Sequence, residues 1–393
     1  MKNLVLAGLF LIVVNSCQSI TKKKLPPPSI SPGAAQTDEY LPLLKGKSVA
    51  LVVNPTSTIQ NTHLVDSLIA LGIDIKIIFS PEHGFRGDAD AGEKVANSVD
   101  SATGIPIVSL YGKHRKPSAQ DLQDIDVVVF DIQGVGVRFY TFISTMHYVM
   151  EGCAENNKPL IILDRPNPNG NYIAGPVLNP EYQSFVGMHP IPIVYGLTMG
   201  ELAQMINNEG WLATEKCDFT IIKNKNYSHK DTYVLPVKPS PNLPNAKSVE
   251  LYPYLCLFEP TVISIGRGTT YPFQVIGFPD STYGEFSFTP ASIDGMSKYP
   301  KYEDQKCYGV DLRTAETTSN FSLSYLIDYY NKYGGGEDFF TSPSFFDKLA
   351  GSDNLRTDIL AGKSAMDINN SWSEELKNYQ VLRKKYLLYD DFE

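Results

Sequence analysis

Residues 73–84 read IDIKIIFSPEHG, and this stretch decides how the chain folds. Apart from Lys76, every side chain from Ile75 to Phe79 is apolar, and the run then stops at Ser80-Pro81-Glu82-His83-Gly84. A short, nearly continuous apolar run bounded by turn residues has the pattern of a strand buried on both faces. The same pattern recurs at SVALVV (48–53), IPIVSL (105–110), DVVVFD (126–131) and KPLIILD (158–164). Helical spacing separates two of the pairs, in THLVDSLIALG (62–72) with its glycine stop and in residues 141–156. Strands buried on both faces and alternating with helices specify a parallel sheet covered by helices. The expected fold class is therefore α/β, with a Rossmann-like domain over residues 41–245.

From about residue 246 the pattern changes to mixed strands, aromatic clusters and short helices, such as FSLSYLIDYYNKYG (321–334) and a basic helix near 374–386. Residues 246–393 are expected to form a smaller α+β domain, with TVISI (261–265) as a β-type run. Between the halves, Thr198 followed three residues later by Glu201 is the signature of a capping box at a helix start.

A parallel sheet binds ligands at the carboxyl ends of its strands. Those ends carry Asn54, Glu82-His83, Asp131 with Gln133, and Asp164-Arg165. No dinucleotide fingerprint accompanies them: QGVGVRFY has Gly134 and Gly136, but Phe139 stands where a third glycine belongs. The sheet is thus expected to carry polar chemistry without a cofactor. Arg86, Arg138 and Tyr140 are further candidates for contacts to a ligand. A second cluster, Glu259 and the glycine-flanked Arg267, is expected to face the strand ends across a cleft between the two halves. Each group also has a plain structural use, as a helix cap, a turn salt bridge or a core hydrogen bond.

The amino terminus sets the compartment. Lys2 precedes an apolar run from Leu4 to Val14, too short to cross a bilayer and of signal-peptide length. Val14-Asn-Ser-Cys17 resembles a bacterial lipobox, so residues 1–16 are expected to be a signal peptide and Cys17 a lipidated residue. Residues 17–40, rich in proline and serine, would then be a tether, and the protein an exported, membrane-anchored lipoprotein facing the periplasm. A net charge of −9 without a long basic run argues against a nucleic-acid partner. Cys153, Cys217, Cys256 and Cys307 are spaced too widely for a zinc site and are expected to be buried thiols.

Taken in order, SPEHGFRG, DIQGVGVRFYTFISTM, LDRPNPNG, GLTMGELA, PSPNLP and FEPTVISIGRGTTYPF resemble the bacterial exo-β-N-acetylmuramidases of the NamZ type. The resemblance implies hydrolysis of a terminal β-1,4-linked N-acetylmuramic acid from the non-reducing end of peptidoglycan fragments. It places the family's catalytic glutamate on Glu82, with His83 to orient it or bind a sugar hydroxyl. Arg267 or Arg138 would suit the lactyl carboxylate. Pro260 after Glu259 departs from the family's usual glycine. Two other classes stay open on the residues alone. One is a lipid-anchored sugar-binding protein without catalysis. The other is a metal-dependent hydrolase using Glu82, His83, Asp88 and Asp90, although that set lacks the paired-histidine spacing of zinc hydrolases.

Overall fold

The computed structural model describes residues 29–82, 84–85, 97–316 and 321–393. Its centre is a seven-stranded sheet. In spatial order the strands are Phe219–Ile222, Leu160–Leu163, Val127–Asp131, Ser48–Val53, Asp74–Ser80, Pro106–Ser109 and Ser98–Val99. All neighbours pair in parallel except the short Ser98–Val99 edge. The chain starts in the middle, builds outward to one side, then returns to build the other. The direction reverses between Ser48–Val53 and Val127–Asp131.

Strand pleating sends alternate side chains to opposite faces, and both faces are buried here. Val49, Leu51 and Val53 meet Leu64, Val65 and Leu68 of the helix Leu64–Ala70 on one side. Ala50 and Val52 join the larger cluster on the other, with Met146 and Val149 of the helix Phe142–Glu155. That larger cluster continues without a break into the second half of the chain, through Tyr252, Phe273, Tyr329 and Phe346. The second half carries a three-stranded antiparallel sheet, with Cys307–Asp311 between Val275–Phe278 and Phe286–Phe288, together with helices including Ser324–Tyr333 and Ser373–Arg383.

Two expectations need correction. The fold takes in part of the expected tether, because Ser31 pairs with Lys225 and both Ala34 and Tyr40 are fully buried. Tyr40 spans the helix Thr37–Leu44 and its approach by donating its hydroxyl to Ala34 O. TVISI makes only isolated bridges, Thr261 with Phe340 and Ser264 with Gly277. Its carbonyls have another partner: the Lys301 ammonium donates to Glu259 O, Thr261 O and Ile263 O. Backbone acceptors satisfied by a side chain need no strand ladder. Cys153, Cys217, Cys256 and Cys307 are all buried and free.

Candidate active site

Ser80 ends its strand, and Pro81 starts a tight turn closed by Gly84 N–H donating to Pro81 O at 3.1 Å. Gly84 has φ 78°, a left-handed conformation that a side chain at this position would strain. The turn presents Glu82 half-buried. Ser80 pairs in register with Ser109 of the neighbouring strand, so residues two positions beyond each strand end arrive side by side. Those residues are Glu82 and Tyr111, and the Tyr111 hydroxyl lies beside the Glu82 carboxylate. Burial, reinforced by that carboxylate, pushes the Tyr111 phenol up to about 12. Thr141 supplies a donor, its Oγ1 giving a 2.9 Å hydrogen bond to Glu82 Oε2. Thr141 stands at the cap position of the helix Phe142–Glu155 but does not cap it with its side chain. The hydroxyl serves the carboxylate instead.

These groups form one wall of a cleft of about 390 Å³. The second half of the chain contributes Glu259, Arg267 and Phe273 to the lining of the same cleft. Arg267 reaches Glu259 Oε1 through Nη2 at 2.5 Å and through Nε at 3.1 Å, and its guanidinium stacks 5.0 Å from the Phe273 ring centre. Burial disfavours the Arg267 charge, but Glu259 more than offsets this and the net shift is upward. Behind the pair, Lys301 holds the loop that carries Glu259; burial lowers its pKa to about 8. The remaining walls are largely aromatic and aliphatic, with Phe139, Phe142, Phe185, Leu243 and Phe345 among them. The cleft can therefore hold an amphipathic ring, with two carboxylates and one arginine.

Of the residues expected at a site, Glu82, Tyr140, Glu259 and Arg267 line this cleft. Tyr140 also braces the wall, donating its hydroxyl to Pro239 O at 2.6 Å. His83, Arg86 and Cys17 lie outside the described residues, as do Asp88 and Asp90. The other strand-end residues stand at the carboxyl edge of the same sheet but do not line this cleft. At the topological switch point the strand-end groups bond to one another. Ser57 donates to Asp131 O, Gln133 N–H donates to Thr56 Oγ1, and Asn54 Oδ1 accepts from Thr56 N–H. Asp131 and Arg165 form a bidentate pair with separations of 2.6 and 2.9 Å, and neither is more than 3% exposed. Arg165 also donates to Thr58 O.

Asp164 instead serves the helix Met199–Asn208, accepting Gly200 N–H at 2.8 Å. The Gln133 amide donates to Gly134 O and Pro166 O. Arg138 is fully buried, and its two Nη atoms donate to the carbonyls of Pro176, Ile191, Leu349 and Ala350. That guanidinium joins distant segments of backbone and is not available to a carboxylate ligand. Gly136 is explained the same way: a Cβ there would lie 2.2 Å from Asn167 Oδ1, so the glycine permits close packing and has no phosphate to approach.

Sequence reasoning missed Tyr111, Thr141 and Lys301. Tyr111 had a usable signal, since it stands as far beyond its strand as Glu82 does beyond the next one. Thr141 and Lys301 had none, because their partners are remote in sequence.

Two family models match the chain. The description "Exo-beta-N-acetylmuramidase NamZ, N-terminal" covers residues 49–247 and its C-terminal counterpart covers 250–389. A curated relative, the peptidoglycan beta-N-acetylmuramidase NamZ of Bacillus subtilis (strain 168), is 42% identical over 375 residues, 89% of each chain. Two crystal structures of DUF1343 family proteins from Bacteroides fragilis NCTC 9343 share the fold over 93% of this chain and the whole of theirs. One has a TM-score of 0.86 at 45% identity, the other 0.81 at 31%.

Proposed function

The chain belongs to the exo-β-N-acetylmuramidase NamZ family, and from its own cleft we propose how that activity is carried out. The enzyme is a glycosidase that removes terminal β-1,4-linked N-acetylmuramic acid from the non-reducing end of peptidoglycan fragments. One observation carries the assignment of roles: Glu82 is half-buried in a cleft that the Glu259–Arg267 pair also lines. Glycoside cleavage passes through an oxocarbenium-like state and needs a proton delivered to the departing oxygen. Glu82 is the acid, held in place by Thr141 and flanked by Tyr111, with His83 beside it in sequence. Arg267 spends Nε and Nη2 on Glu259. Its Nη1 is the donor for the lactyl carboxylate, an ionic contact stronger than a neutral hydrogen bond. Glu259 or the substrate's own acetamide completes the displacement. Retention at the anomeric carbon would signal a covalent or acetamide-derived intermediate, and inversion a base-activated water.

The test is incubation of the purified chain with a disaccharide ending in N-acetylmuramic acid, with the first-formed anomer followed by NMR. Free N-acetylmuramic acid is expected from the native chain and almost none from Glu82→Gln. Full activity in the variant would remove Glu82 from the acid role.

The anchoring belongs to the same proposal. Cleavage before Cys17 and lipidation of its thiol would hold the enzyme at a membrane, facing the periplasm, where wall fragments released during turnover are recycled. Cys17→Ser should move the protein from the membrane fraction to the soluble fraction in the native host. Retention in the membrane would rule out this anchor.

A further inference from the structure

The segment PSPNLP, residues 239–244, forms part of the cleft wall through Ser240, Asn242 and Leu243. It is a stiff element: Pro239 O accepts from Tyr140, and Leu243 N–H donates to Ser240 O at 3.0 Å. Asn242 is 2% exposed. Its backbone N–H donates to Ser240 Oγ, and its Nδ2 donates to Met296 O at 2.6 Å. That short contact fixes which way the amide points, since a flipped amide would set two oxygens against each other. The other end, Oδ1, is enclosed and accepts no hydrogen bond from any described residue. An enclosed acceptor without a donor is a standing cost to the folded state, and one placed in the wall of a binding cleft is repaid when a ligand brings the donor.

We propose that Asn242 Oδ1 accepts the N–H of the terminal sugar's 2-acetamido group, which makes Asn242 a specificity-determining residue; this rests on the muramidase reading of the cleft. The chemistry selects that donor. A hydroxyl would bring lone pairs that need donors of their own, and the Asn242 backbone N–H and one of its two Nδ2 protons are already committed. An ammonium would be desolvated in a cleft that already holds Arg267. An amide N–H brings one proton and no acceptor on the same atom. Its acetyl methyl suits a wall where Leu243, Tyr252 and Phe273 lie.

The experiment measures binding of two ligands to the full-length chain by calorimetry. One is N-acetylmuramic acid. The other is its 2-O-acetyl analogue, which keeps the carbonyl and methyl but has an ester oxygen where the N–H was. The native chain should bind the amide at least roughly tenfold more tightly. Asn242→Ala should bind both ligands alike, through loss on the amide only. Asn242→Val, which also lacks an acceptor, stands in if the alanine variant does not fold. Equal binding of the two ligands by the native chain would overturn the inference alone, and so would a preference that survives in Asn242→Ala. Binding of neither ligand by the native chain would remove the muramidase reading and this inference with it.

Discussion

Glu82 and Arg138 were both legible as charged residues near strand ends, and their fates differ. Glu82 stands two residues past a strand end on a turn that only proline and glycine make sharp. Of its neighbours, Thr141 donates to the carboxylate and the Tyr111 hydroxyl lies beside it, without enclosing it. The carboxyl is only half-buried, and a glutamine amide can keep a contact to the same hydroxyls. Glu82→Gln should therefore melt within a few degrees of the native chain while losing roughly 10²–10⁴-fold in turnover, the usual worth of general acid help. Calorimetry and a chromogenic muramide assay measure the two effects separately, and a large loss of melting temperature would mean a structural role. Arg138 shows why residue type alone misleads. A guanidinium carries five donors that suit a carboxylate, but four backbone carbonyls at fixed positions take the four on its Nη atoms equally well. Nothing in the local sequence tells the two cases apart.

At the scale of elements, the local signals were strong wherever the chain satisfies itself nearby. The capping box is present: Thr198 Oγ1 accepts Glu201 N–H, and Glu201 Oε2 accepts Thr198 N–H. What the sequence hid is that the same helix start receives a third group from another element, the Asp164 carboxyl on Gly200 N–H. Burial pushes the Asp164 pKa up to about 6 from a reference of 3.8, against opposing pulls from Tyr389 and Gly200. The sign follows from proton counting. Between those two values the folded chain holds more protons than the unfolded one, so this site's contribution is full below about 3.8 and is lost as pH rises through about 6. The loss amounts to roughly 3 kcal/mol at most. In Asp164→Asn the new amide still accepts from Gly200 and cannot ionise, so urea midpoints should separate progressively from the native chain between pH 4 and pH 7, the native chain losing ground. Parallel midpoint curves would show that Asp164 does not titrate in this window. TVISI was misread for the complementary reason: its β pattern was real, but the side chains of Lys301 and Tyr302, distant in sequence, take the carbonyls of Thr261, Val262 and Ile263.

At the scale of the whole molecule, the carboxyl terminus returns to the first half and completes it. Leu388 N–H donates to Glu201 Oε1, the Tyr389 hydroxyl donates to Asp164 Oδ2 at 2.6 Å, and His229 N–H donates to Asp390 O. Arg383, fully buried, is paired in bidentate fashion with Asp391. Ending the chain at Leu387 would strip partners from three buried ionisable groups, Glu201, Asp164 and Arg383, and breaking a buried pair typically costs about 3–5 kcal/mol. The truncated protein should lose its cooperative thermal transition or melt far below the native chain, and an unchanged melting curve would show the tail to be dispensable. The sequence by itself determined the α/β class, the order of strands and helices, the strand-end turn bearing Glu82 and the burial of the cysteines. Apolar periodicity, turn chemistry and capping act between residues close in the chain and so leave local marks. Only the tertiary structure decided that Asp131 and Arg165 neutralise each other, and that residues 82, 111, 141, 242, 259 and 267 share one cleft. Those outcomes depend on which elements become neighbours across the sheet and between the two halves, and burial then settles whether a polar group meets backbone, another side chain or a ligand.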